Sequence, residues 1–192
     1  MRALYLLRHS LTEANEKRLY CGRTDLPLSA EGRRLAAEAR RECSLPTCAL
    51  YATSGMARAN DTLMLLTGRT PDLIIAALRE MDFGRFEMSD YETLKDDPDY
   101  LLWIGDTTGT VACPGGESSA GFRKRVLDGG RVLLDEAWSD AIVVCHGGTI
   151  VRLMQAWFPS ENRSFYEWQP GPCRGWQVTF DSNATPVGFN GI

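Results

Sequence analysis

The chain has 192 residues, 44% of them hydrophobic and 24% charged, the make-up of one globular domain with a full core and no second domain. Its net charge of −4 argues against nucleic acid as the main partner, while a local cluster of arginines can still hold a small anion. No apolar run approaches a membrane span and no signal-peptide pattern opens the chain, so a cytoplasmic protein that makes no membrane contact is expected. The six cysteines, Cys21, Cys43, Cys48, Cys113, Cys145 and Cys173, form no Cys-x-x-Cys pair and read as free thiols rather than zinc ligands.

The first element is an apolar run, Ala3 to Leu7, that ends in Arg8-His9 and reads as a buried strand. Leu11 to Arg23 then predicts a short helical or irregular segment carrying polar groups over the strand end. Ser29 is placed to cap a helix running to about Glu42 with Leu35, Ala36 and Ala39 on its apolar face, although Gly32 stands where a capping-box glutamate would help. Cys48 to Thr53 predicts a second strand, and Ser54 a cap for a helix that carries Arg58 and ends near Gly68. Pro71 to Leu78 predicts a third strand centred on Ile74 and Ile75, followed by a loop from Glu80 to Met88.

Short helical pieces broken at Pro98 are expected from Tyr91 to Gly105, within a small helical cap at about 85–115. Cys113 to Ser118 reads as a turn before a long helix, Ser119 to Trp138, weakened by Gly129-Gly130. A second apolar run, Ala141 to Cys145, ends in His146, the only other histidine. A helix from Thr149 to Phe158 follows, and the alternation of Trp176, Val178 and Phe180 predicts a C-terminal hairpin. Alternating strands and helices throughout make one α/β domain over residues 1–192, a three-layer α/β/α sandwich with a mostly parallel central sheet.

Two strands that each end in a histidine are informative, because ligand sites of open α/β sheets gather beyond the carboxyl ends of strands. Transfer of a phosphoryl group needs positive charge on its non-bridging oxygens, an in-line nucleophile and a proton donor for the leaving oxygen. Arg8 and Arg58 can supply the charge, His9 the nucleophile, His146 a hydrogen bond or charge, Glu80 the proton, and Asn15 a neutral donor. Taken singly, Arg58 reads as a helix-surface arginine and Glu80 as half of a surface ion pair among Arg79, Asp82 and Arg85. Tyr91, Tyr100, Trp103 and Phe122 read most simply as the core of the helical cap, with stacking on a substrate base or ring the alternative that the sequence leaves open.

Four blocks in order carry a resemblance: Arg8-His9 with Thr12 and Asn15; Ser54 with Arg58-Ala59 and Thr62; Leu78 and Glu80 with Phe83-Gly84; and His146-Gly147-Gly148. Together they resemble the histidine phosphatase (phosphoglycerate mutase-like) superfamily over nearly the whole chain. The resemblance implies that His9 becomes a phosphohistidine, that Arg8, Arg58 and His146 hold the phosphoryl group, and that Glu80 is the acid and base. Substrate contacts are expected from Asn15, Ser10, Arg23 and Gly147, with no metal or organic cofactor. The stretch Glu80 to Met88, continued by Tyr100, Trp103, Pro114 to Ser118, Phe122 and Arg125, is similar to the α-ribazole-5′-phosphate phosphatases and related broad-specificity phosphatases.

Ser10 stands where the family has glycine, and Gly55-Met56 where it commonly has Pro-Leu; neither removes a reacting group. The resemblance implies a phosphatase of small phosphate monoesters, with α-ribazole 5′-phosphate the first substrate to test. Phosphoglycerate mutase-type transfer is the alternative within enzymes, and an inactive phosphate-ester-binding regulatory module the alternative outside them. The small-molecule ester is the only partner implied, and a homodimer is left open.

Overall fold

The computed structural model describes residues 1–42 and 45–192, so Cys43 lies outside the described residues. Cys21, Cys48, Cys113 and Cys145 are unbridged thiols. The elements run β1 (Arg2–Arg8), α1 (Glu13–Glu16), α2 (Ala30–Glu42), β2 (Leu50–Thr53), α3 (Ala57–Thr67), β3 (Leu73–Ile74), α4 (Tyr91–Leu94) and α5 (Pro98–Ile104). They continue with α6 (Ser119–Asp135), β4 (Asp140–Cys145), α7 (Gly147–Trp157), α8 (Phe165–Trp168), β5 (Gly175–Phe180) and β6 (Pro186–Gly191).

The strands form one six-stranded sheet in the order β3-β2-β4-β1-β5-β6. β3, β2, β4 and β1 pair in parallel, and β5 runs antiparallel to both β1 and β6. Alternate side chains of the central strands enter two separate cores. Leu4, Leu6, Val143 and Cys145 pack with Val126, Leu133, Ile150 and Leu153 of α6 and α7. Leu7, Ile142 and Val144 pack on the opposite face with Ala36, Ala39, Ala59 and Leu63 of α2 and α3. Both faces being covered explains why β1 and β4 read as continuous apolar runs. The architecture is the expected α/β/α sandwich with a mostly parallel sheet. No helix among the described residues is long and apolar enough to cross a membrane.

Several boundaries differ from expectation for identifiable reasons. The third strand is only Leu73–Ile74, because Ala76–Leu78 tightens into a 3₁₀ turn. Ile75 is buried, whereas Ile74 is 58% exposed at the sheet edge. Ser54 does not cap α3: the cap position is Met56, which makes no side-chain cap bond. Helix α6 stops at Asp135, three residues before Trp138, whose indole instead donates to the Leu133 carbonyl at 2.8 Å. Pro98 opens α5 rather than merely breaking a helix, with the Asp97 carboxylate capping the backbone N–H groups of Asp99 and Tyr100.

Ser29 caps α2 as expected, accepting from the Gly32 N–H at 3.0 Å. Gly32 has a tertiary reason: a β-carbon there would lie 2.0 Å from the Leu11 carbonyl oxygen. A glutamate would complete the cap but push away the segment that follows His9.

Candidate active site

All the expected reacting groups converge beyond the carboxyl ends of β1, β2, β3 and β4. His9 follows the last residue of β1, and its N–H donates to the Cys145 carbonyl at 2.9 Å, so the two histidine-bearing strands are tied together at their tips. His146 is the cap residue of α7. The two imidazoles stand edge to face with centroids 5.0 Å apart.

His9 is almost fully buried. Its Nδ1 lies 2.5 Å from the Ser10 carbonyl oxygen, which can only accept, so Nδ1 carries the proton and Nε2 keeps its lone pair. Burial above all, then the charges of Arg58 and Arg8, hold the His9 pKa down at about 3, against the pull of the Ser10 carbonyl. At neutral pH the ring is unprotonated, the state a nucleophile requires. His146 is driven well below the ordinary histidine range by burial, with His9, Arg58, Arg125 and Arg8 adding to the effect. Its Nε2 is 2.8 Å from the Ser54 hydroxyl, and its Nδ1 is buried with no hydrogen-bond partner among the described residues. A buried polar atom left without a partner beside His9 calls for an explanation in the site's chemistry.

The depressed histidine pKa values also bear on stability. Between pH 6.5 and about 3 the unfolded chain binds protons at His9 that the folded chain refuses. Stability therefore falls as the pH is lowered through that window, by roughly 1.4 kcal/mol per pH unit for each such histidine. Thermal melts taken from pH 7.5 down to 4.5 should show a declining midpoint, with a shallower decline in His9→Asn. An equal slope in the variant would contradict the assignment.

Arg58 is 1% exposed, held by the Thr24 carbonyl at 2.9 Å and the Gly22 carbonyl at 2.7 Å. Those two bonds orient the guanidinium and leave further N–H groups for an anion. Arg8 is anchored by the Pro170 carbonyl at 2.9 Å. Burial lowers the pKa of both arginines, and Glu80 counters it in each case. The Glu80 carboxylate accepts from the Met81 N–H at 3.0 Å and the Gly148 N–H at 2.9 Å. Gly148 has to be glycine for that approach, since a β-carbon would sit 2.5 Å from Glu80 Oε1. Gly147 likewise admits the Arg8 Nε and Gln169 Nε2 atoms, which would lie 3.4 and 2.7 Å from a β-carbon.

The remaining expected contacts divide. The Asn15 side-chain oxygen accepts from Thr12 in a capping box, leaving its amide nitrogen without a protein partner among the described residues. The Ser10 hydroxyl is buried and donates to the Gly32 carbonyl at 2.7 Å, and its N–H donates to the Thr62 hydroxyl at 3.0 Å. These bonds fasten the loop that follows His9 to α2 and α3. The Ser10 φ is not positive, so the backbone has no need of glycine there. Gly55, in contrast, has φ +83°, and a β-carbon would lie 2.7 Å from Ile74 Cγ2, so proline would not fit. Arg23 is exposed at the rim, 3.3 Å from Asp82.

Other residues prove equally important to the geometry. The Glu87 carboxylate accepts from the N–H groups of Gly22, Arg23, Thr24 and Phe83 and from the Thr24 hydroxyl. It thereby shapes the loop whose carbonyls grip Arg58. Arg125 donates to the carbonyls of Ala77, Arg79 and Glu80 and pairs with Glu117 at 2.6 Å, pinning the segment that presents Glu80. These residues lie inside the resembling blocks, but nothing in their spacing announces backbone-holding roles.

A crevice of about 570 Å³ reaches the cluster at Glu80 and Gly148, its walls including Tyr20, Phe83, Trp103, Phe122 and Tyr166. Of the cap aromatics, Trp103 and Phe122 therefore line the crevice, while Tyr100 is buried behind them, hydrogen-bonded to Tyr20 at 2.7 Å.

The chain is 31% identical over 156 residues to the adenosylcobalamin/alpha-ribazole phosphatase of Escherichia coli, covering 79% of this chain and 76% of that protein. Its fold matches the alpha-ribazole phosphatase from Shigella flexneri with a TM-score of 0.84 at 25% identity, over 97% of this chain and 94% of that one. A phosphoglycerate mutase from Thermus thermophilus matches with a TM-score of 0.70 at 29% identity, over 97% of each chain. Residues 4–187 match the profile of the histidine phosphatase superfamily (branch 1), so with its paired strand-end histidines in place the chain belongs to that superfamily.

Proposed function

We propose that the protein hydrolyses small phosphate monoesters through a phosphohistidine on His9, with α-ribazole 5′-phosphate as its substrate. Membership of the superfamily makes it an enzyme of the phosphoric monoester hydrolase class. The observation that carries the mechanism is the buried His9 imidazole, neutral and with Nε2 open, set between Arg8, Arg58 and His146. Nε2 attacks phosphorus in line with the ester oxygen, the P–O bond to the alcohol breaks, and Glu80 gives the departing oxygen its proton. Water then attacks the phosphohistidine, handing its proton back to Glu80, and phosphate leaves with His9 restored. The arginines and His146 favour the charge on the equatorial oxygens as the phosphoryl group transfers.

The substrate assignment is supported by the names of the two phosphatase relatives and by the aromatic crevice, which suits a flat ring on the alcohol portion. Its openness lets water reach the phosphohistidine, which favours hydrolysis over return of the phosphoryl group to a second hydroxyl. A free-phosphate assay over a panel of metabolite monoesters, including α-ribazole 5′-phosphate, tests both points. The highest kcat/KM is expected for α-ribazole 5′-phosphate. Rearranged ester without free phosphate would establish a mutase, and no turnover of any ester would leave only a binding module.

A further inference from the structure

Beside the catalytic crevice lies a second cavity, of about 640 Å³, built largely from α6 and the turn at 106–109. Asp106, Ser119 and Arg152 line both spaces, so the second cavity adjoins the first along that edge. In a chain of net charge −4, its walls carry four cations, Arg123, Lys124, Arg131 and Arg152, against two carboxylates, Asp106 and Asp128.

Internal pairing does not cancel this excess evenly. Asp128 is shared by Lys124 at 3.0 Å and Arg131 at 2.7 Å. Asp106 is spent on its own turn, accepting from the Thr108 N–H and hydroxyl and from the Val111 N–H. Arg123 and Arg152 have no carboxylate within ion-pair distance among the described residues. They are nevertheless close enough that Arg123 pulls down the Arg152 pKa, an effect second to burial and opposed by Glu80. Arg152 is half-buried, its Nη2 donating to the Ser119 hydroxyl at 2.6 Å and its Nη1 to the Gln155 side-chain oxygen at 3.3 Å. Its Nε is buried with no partner among the described residues. Two like charges held together, one with an unsatisfied donor, cost stability unless an anion shares them.

We propose that Arg152 and Arg123 form a subsite for a second oxyanion on those ester substrates that carry one on the alcohol portion, beyond the ester. This rests on the phosphomonoesterase reading of the same crevice. The ester phosphate lies against His9 and Arg58, the body of the alcohol passes the aromatic walls, and the remote oxyanion meets Arg152 where the two cavities join. A ring-bearing ester such as α-ribazole 5′-phosphate fills the aromatic part by itself. The arginine pair extends recognition to esters that continue past a ring to a carboxylate or phosphate.

Matched aryl phosphates test it: 4-carboxyphenyl phosphate and 4′-carboxybiphenyl-4-yl phosphate, each against its carboxamide. For at least one length, the acid-to-amide ratio of kcat/KM should be about fivefold higher in the wild type than in Arg123→Gln, and should shrink as salt is raised. Arg123 is exposed, so the substitution leaves the fold intact. Arg152→Gln, checked for folding by circular dichroism, should collapse the same ratio. Ratios identical in wild type and both variants at both lengths would overturn the subsite. Should the wild type release phosphate from none of the four esters, the hydrolase reading falls instead. The subsite is then decided by calorimetric binding of the acid and amide to His9→Ala: tighter binding of the acid supports it, and equal binding overturns it.

Discussion

His9→Ala should lower phosphate release from a generic aryl phosphate by at least about a thousandfold while the protein stays folded. The other neutral imidazole, His146, has its Nε2 against the Ser54 hydroxyl and its Nδ1 shut away from solvent, whereas His9 Nε2 is open. Arg8 and Arg58 are cations, and Glu80 has both oxygens engaged with backbone N–H groups. The fold should tolerate the change, because the His9 side chain bonds only to the carbonyl of its own neighbour, Ser10. Unchanged turnover would sink the nucleophile assignment. Acid-labile phosphate trapped on the wild-type chain and absent from His9→Ala would identify the intermediate directly.

Glu80→Gln should separate esters by the quality of their leaving group. Alkyl phosphates, whose oxygen needs a proton to depart, should slow by about a hundredfold or more, and 4-nitrophenyl phosphate far less. The amide cannot give up a proton, and its NH₂ would face either the Met81 or the Gly148 N–H, donor against donor, so some loss of order is expected too. That loss would act on both kinds of ester alike. Equal slowing would therefore mark Glu80 as structural, whereas a steep dependence on the leaving-group pKa establishes the proton transfer.

Much of this arrangement is legible in the chain because its signals are local. Apolar runs that end in Arg8-His9 and in His146 specify buried parallel strands, and the rule that ligands gather at strand ends places both histidines together. The cap of α2 at Ser29, the stop of α3 at Gly68 and the C-terminal hairpin follow from residue types that act within a few positions. The third strand was over-read for the opposite reason. β-branched residues at Ile74 and Ile75 favour extension, but the chain there must turn into Ala76–Leu78 to bring Glu80 back over α7.

Hydroxyl and carboxylate roles are harder to foresee, because one side chain can cap a helix, hold a loop or meet a ligand depending on what folds beside it. Ser54 has the spacing of a helix cap and serves His146; Ser10 sits beside the nucleophile and serves α2. Glu87 and Arg125 act on backbone atoms from segments distant in sequence. The sequence by itself determined the α/β class and the family and singled out His9, Arg8, Arg58, Glu80 and His146 as the candidate reacting set, since residue type and strand-end position carry that information. Only the tertiary structure decided which atoms of that set are free, with Nε2 of His9 open and Nδ1 of His146 without a partner among the described residues, and it alone set Arg152 between two cavities. Those properties depend on burial and on partners brought together across the sheet, which no local pattern encodes.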